Sequence, residues 1–164
     1  MTDNIIFNFN NKSNISQWKV VDDVVMGGRS DGSFTLNDAG NGVFSGDVST
    51  ENNGGFSSVR YNFSKSDLSK YTKFIIKLKG DKKSYQFRVK SKTSDYYSYT
   101  YTFATNGFWQ TIEIPFDEMN PAFRGRQLRM KAYPAEIMEE IAFLIGNKKN
   151  ESFQLEINSI VLGK

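Results

Sequence analysis

The residues best suited to chemistry in this 164-residue chain are arginines set beside glycines or on strand-like runs. Val21–Ser30 carries Asp23 and the pair Gly27-Gly28, followed by Arg29 and Ser30. Gly54-Gly55-Phe56 leads into Arg60, and Phe123-Arg124-Gly125-Arg126 sets an aromatic and two arginines about a glycine. A guanidinium is a planar fork that grips carboxylates, carbonyls or phosphates with paired hydrogen bonds, whereas most cations here are lysines, which act as point charges. Paired glycines allow positive φ and the close approach of another backbone or a ligand. The same segments also fit a structural role as tight turns. Arg29 is expected to reach inward, toward Asp23 or the carbonyls of the 54–56 turn, and so to tie two loops together.

Catalytic chemistry has few parts available. The chain contains no histidine and no cysteine, which excludes a Ser-His-Asp arrangement, thiol nucleophiles, disulfides and Cys/His zinc sites together. Asp22 and Asp23 are adjacent on a strand-like run and therefore point to opposite faces. Asp117-Glu118 reads as loop and Glu139-Glu140 as solvated surface, so no carboxylate pair faces its partner across a cleft as glycoside hydrolysis requires. Asp31-Gly32 and the Asn37–Asn41 cluster carry oxygen ligands without the twelve-residue calcium loop, and read as turn chemistry. Met26–Ser30 lacks the Gly-Lys-Ser/Thr ending of a phosphate-binding loop. The reading is a protein that binds rather than catalyses, without cofactor or metal.

Aromatic residues are the other candidate binding groups. Tyr97, Tyr99, Tyr101 and Phe103 share one parity of a period-two run. That row fits inward packing with hydroxyls at an edge, or a groove for sugars or peptide. Trp109 falls on the polar parity of its strand, where exposure would mark a contact site. Arg60 and Arg88 lie on the polar parity of strands expected to be neighbours, and fit either a binding pair or ordinary surface ion pairs. Lys73, Lys77, Lys79, Arg88 and Lys90 form a cationic parity, but the net charge is only +3, and no aromatic RNA-recognition signature interleaves with them. Nucleic acid is disfavoured.

The elements that must hold these residues are strands. Period two dominates Phe56–Phe63, Thr72–Lys79, Tyr85–Lys90, Tyr97–Phe103 and Phe108–Ile114, the last closed by Pro115. Ile5–Phe9 and Trp18–Val25 read as further strands, and Phe34–Leu36 with Val43-Phe44 as a hairpin, with Asn41-Gly42 as its expected turn. Asp117–Arg129 reads as irregular, Glu136–Glu140 as one helical turn, and Ile141–Ile145 and Phe153–Leu162 as closing strands. About ten strands and almost no helix predict an all-β, two-sheet sandwich forming a single domain over 1–164, with terminal strands able to pair. No signal peptide and no stretch of membrane-spanning length is seen, so a cytoplasmic protein without membrane insertion is expected.

Trp18 through Ser30, Phe44–Gly46, Gly54–Arg60, Trp109 through Pro115 and Pro121–Arg126 resemble, in that order, the complex I intermediate-associated protein 30 family, across about Ile5 to Leu162. The resemblance implies a galactose-binding-domain-like, jelly-roll sandwich. Its eukaryotic members are mitochondrial assembly factors that hold intermediates of respiratory complex I, and its plastid members act in photosystem biogenesis. The resemblance implies a compact member without transit peptide or extension. The expected function is a non-catalytic protein-binding module or assembly chaperone with a protein partner; a carbohydrate-binding module is the alternative. Met26–Ser30, Gly54–Phe56 and Phe123–Arg126 are expected to form or support one contact surface.

Overall fold

Alternating apolar residues give each strand one face for a shared core, and two such sheets close on each other. The computed structural model describes residues 5–22, 30–50, 55–123, 126–134 and 137–164. Its strands are β1 (Ile5–Asn8), β2 (Trp18–Asp22), β3 (Asp31–Leu36), β4 (Gly42–Val48), β5 (Ser57–Asp67), β6 (Lys73–Lys79), β7 (Ser84–Lys90), β8 (Ser98–Ala104), β9 (Trp109–Pro115), β10 (Asn120–Phe123), β11 (Arg126–Gln127), β12 (Ile137–Ile145) and β13 (Glu151–Gly163), with one 3-10 turn at Phe116–Glu118. Six strands form one antiparallel sheet in the order β3-β4-β13-β6-β9, with β1 also on β13; seven form the other, in the order β11-β10-β8-β7-β12-β5-β2. The fold is the expected all-β sandwich.

The sheets meet through aromatic and branched side chains. Phe74 of β6 meets Phe87 of β7 edge-on at 4.9 Å between ring centroids, and Phe87 in turn packs on Phe143 of β12 at 5.2 Å. At one end Trp18 stacks between Phe34 at 5.1 Å and Tyr61 at 4.8 Å, joining the two sheets. Such rings bury large apolar areas and add geometric preference of about 0.5–1.5 kcal/mol per pair.

Three local expectations fail. The hairpin between β3 and β4 does not turn at Asn41-Gly42. Asn37 Oδ1 closes the loop by accepting from the backbone N–H of Ala39 at 3.1 Å and of Asn41 at 3.0 Å, and Gly40 takes the positive φ of 82°. The Asn41 side chain is thereby free to turn inward, donating to Glu156 at 2.8 Å. The helical turn expected at Glu136–Glu140 is not seen in its described residues: Ile137–Glu140 begin β12, since Ile137–Ile145 lies between β5 and β7 and is buried on both faces over most of its length. A strand covered on both sides loses the alternation that identifies it. Asp117–Arg129 is not irregular throughout: Pro121 is buried in β10, which pairs with β8 on one side and, through Ala122/Gln127 and Phe123/Arg126, with the edge strand β11 on the other.

The termini pair as expected, with Phe7 opposite Ile160 and Asn8 opposite Ser159.

Candidate functional site

The outer face of the seven-stranded sheet gathers its charge along one row. Lys19 of β2 lies opposite Arg60 of β5, Arg60 opposite Ala142 of β12, and Ala142 opposite Arg88 of β7, which faces Thr100 of β8. Arg60 and Arg88 are therefore not on neighbouring strands as expected. The central strand separates them, and they bracket its smallest side chain. Two strand spacings put their Cα atoms roughly 10 Å apart. The outward residues of β12 form a floor: Ala142 is 3% exposed, Leu144 7% and Glu140 8%. Ser58, Arg60 and Asn62 wall it on the β5 side, and Gln86, Arg88 and Lys90 on the β7 side.

Charge on this face is poorly balanced. Arg88 Nε donates to Gln86 Oε1 at 3.1 Å, a neutral acceptor. Neither arginine takes part in a salt bridge among the described residues, where the pairs found are Lys73–Glu113 and Lys83–Asp81. Burial, and then repulsion from Arg60, hold the Arg88 guanidinium down to about 10, while Glu140 pulls the other way. Glu140 faces Lys90 across the ladder on one side and Asn62 on the other. It is buried in the floor, not solvated surface as its sequence suggested. Lys90 directs its ammonium elsewhere, to the carbonyl of Asp95 at 2.9 Å.

Other expected site residues are dispersed. Tyr99 is 6% exposed and packs on Tyr133 at 5.0 Å, so the tyrosine row faces the core. Burial and the neighbouring Tyr97 push the Tyr99 hydroxyl up to about 12. From Tyr99 a chain of rings runs outward through Tyr97 at 5.6 Å and Tyr96 at 5.1 Å to Phe123 at 5.2 Å, which fastens the β10–β11 hairpin. Trp109 is 41% exposed on the edge strand β9, with Lys77 Nζ 5.9 Å from its ring centroid. It sits on the six-stranded sheet, away from the tyrosines, so no single sugar surface combines them.

Phe56 precedes β5, while Phe123 and Arg126 lie on β10 and β11 at the far edge of the same sheet, with β8, β7 and β12 between. Among the described residues, Phe56 and the pair Phe123 and Arg126 are thus set apart, while Met26–Arg29, Gly54, Arg124 and Gly125 lie outside the described residues. Ser30 is buried and structural: its hydroxyl accepts from Ser49 N–H at 3.0 Å and faces Ser49 O at 3.3 Å. Asp23, Arg29 and Arg124 lie outside the described residues. The cationic parity proposed for nucleic acid also splits, with Lys73, Lys77 and Lys79 on β6 and Arg88 and Lys90 on β7, in different sheets. Sequence reasoning missed Ala142, Glu140 and Lys19, because only the register sets them beside the arginines.

A family model, complex I intermediate-associated protein 30, matches residues 7–157. The chain belongs to this family. The Drosophila melanogaster protein named complex I intermediate-associated protein 30, mitochondrial, is 28% identical over 185 residues, covering 96% of this chain and 62% of the relative. The chain therefore spans less than two thirds of that protein's length. Among solved structures, a family 11 carbohydrate-binding module of a Clostridium thermocellum cellulosomal cellulase superposes with a TM-score of 0.73 at 18% identity, covering 96% of this chain and 94% of the module. A family 11 module from Clostridium thermocellum in complex with a β-1,3-1,4-mixed-linked tetrasaccharide gives 0.69 at 19% identity, covering 94% and 93%. At these identities the likeness establishes the two-sheet β-sandwich fold alone. Among the described residues no helix is long and apolar enough to cross a membrane.

Proposed function

We propose that this protein is a non-catalytic protein-binding module that helps assemble a multisubunit, respiratory complex I-like complex, and that it presents the outer face of its seven-stranded sheet to the partner. Family membership over residues 7–157 carries this reading. The face itself supports it. Its row of Lys19, Arg60 and Arg88 is polar, cationic and set on rigid strands, and the aromatic row of the same sheet is turned into the core. Like charges directly opposite each other on a sheet destabilise it, so such a row does not serve the fold. Affinity purification of the tagged protein from its own cell under gentle crosslinking is expected to recover subunits of one multisubunit complex, and its deletion to leave partial assemblies. Recovery of no partner above background overturns the reading.

Carbohydrate binding is the second reading, favoured by the exposed Trp109 and by the sugar-bound structure that shares the fold. Indole faces stack on sugar rings through their apolar surface. Binding of mixed-linkage β-glucan that Trp109→Ala abolishes would support this reading, and a glycan array without hits would remove it.

A further inference from the structure

We propose that Arg60 and Arg88, which flank Ala142 on the outer face, form a carboxylate-binding site for an acidic, extended segment of the partner protein. The inference rests on the protein-binding reading and adds the chemistry of the contact. Two guanidiniums rooted two strand widths apart can each turn a fork onto one anion above the small, buried Ala142 side chain that separates their strands. Both arginines lack a carboxylate within salt-bridge distance among the described residues. Glu140, two residues along β12 from Ala142, offsets part of the charge on Arg88, but burial and repulsion from Arg60 weigh more, so an anion placed between the two arginines relieves what Glu140 does not. Lys19 extends the row beyond Arg60, which suits a segment carrying several carboxylates laid across the strands. An acidic peptide is favoured over an acidic saccharide or a nucleic acid because the described outward residues of β12 and its two walls are aliphatic, polar or charged, with no ring on which a sugar or base could stack.

The test uses the full chain, a fluorescent oligo-glutamate peptide and its oligo-glutamine counterpart. Oligo-glutamate is expected to bind with an affinity that falls steeply with salt, and oligo-glutamine not to bind. Arg60→Met and Arg88→Met are each expected to weaken binding about tenfold or more, the scale of one charge-assisted hydrogen-bonded contact. Glu140→Gln removes the competing carboxylate and is expected to tighten binding. Melting curves provide a second readout: Arg88→Met should melt no lower than the wild type, because burial and repulsion from Arg60 outweigh the pull of Glu140 on the charge it removes. Absence of peptide binding, or binding unchanged by both arginine variants, overturns the proposal. So does tighter arginine-dependent binding of polygalacturonate or of a single-stranded oligonucleotide at equal charge. Crosslinked recovery of one partner by wild type and both variants alike overturns the acidic site while leaving the protein-binding reading intact; recovery of none by the wild type overturns that reading itself.

Discussion

The two outer faces of the sandwich handle charge in opposite ways. On the six-stranded sheet, charged groups are answered locally. Lys73 pairs with Glu113, Lys77 lies over the Trp109 ring, Asp47 accepts from Ser152, and Glu156 Oε2 accepts from Asn37 at 2.7 Å and Asn41 at 2.8 Å. On the seven-stranded sheet, Lys19, Arg60 and Arg88 share one row, and the one side-chain acceptor of Arg88 is the neutral Gln86. Matched charges over a sheet hold a scaffold in register. A row that Glu140 only partly offsets costs stability, and the rest of its counter-charge has to come from outside.

The largest expected effect on the matched side is at Gly46, which has a φ of 153° and whose added Cβ would lie 1.9 Å from the Asp31 carbonyl oxygen. Gly46→Ala must push β3 from β4 and is expected to cost about 3 kcal/mol, read from denaturant midpoints at constant slope. Next comes Glu156→Ala. It strips the acceptor from two Asn amides, one of them the buried Asn41, and should cost about 2 kcal/mol.

On the unmatched side the sign reverses. Arg88→Met is expected to stabilise by about 1 kcal/mol, since burial and repulsion from Arg60 outweigh the attraction of Glu140 and exchanging such a charge for an apolar side chain is neutral to favourable. That gain has a pH signature. The folded Arg88 releases its proton at about 10, below the ordinary arginine range. The penalty on the charged form is therefore fully present below about pH 10 and shrinks as pH rises from there toward the ordinary arginine value. The stability gap between Arg88→Met and wild type should narrow above about pH 10 and be flat below it. The smallest effect belongs to Lys73→Ala. Its ion pair with Glu113 is solvent-exposed, at 28% and 55% for the two side chains, and should be worth at most about 0.5 kcal/mol, diminishing in high salt. A loss at Arg88 as large as that at Glu156 would erase the contrast between the faces.

Period two made most of the sandwich legible in advance. Phe74, Ile76 and Leu78 against Lys73, Lys77 and Lys79 announces a strand covered on one side, and β6 is that strand. The same signal fails at β12, where Ile141 through Ile145 is buried on both faces and alternation has nothing to mark. The site was half legible for the same reason. Arg60 and Arg88 could be placed on outward parities, because each strand shows its own alternation. That Ala142 stands between them depends on pairing between segments separated by tens of residues, and no local pattern encodes that register. Glu140 was misread because a carboxylate beside Glu139 looks solvated until β12 is set at the centre of its sheet. Gly46, by contrast, could be recognised within its motif, although not the contact with Asp31 that requires it.

The position of β13 has a consequence for how the chain is made. Residues 151–163 form the strand that joins β4 to β6 and also carries β1. During synthesis, β3 with β4 and β6 with β9 can pair early as two separate hairpin-like pieces, but each is left with a bare strand edge until that segment emerges. Those edges are open to pairing with other chains during the interval. Assembly of the six-stranded layer is thus deferred until residues 151–163 have emerged, and a ribosome stalled shortly before residue 151 would display an adhesive half-product.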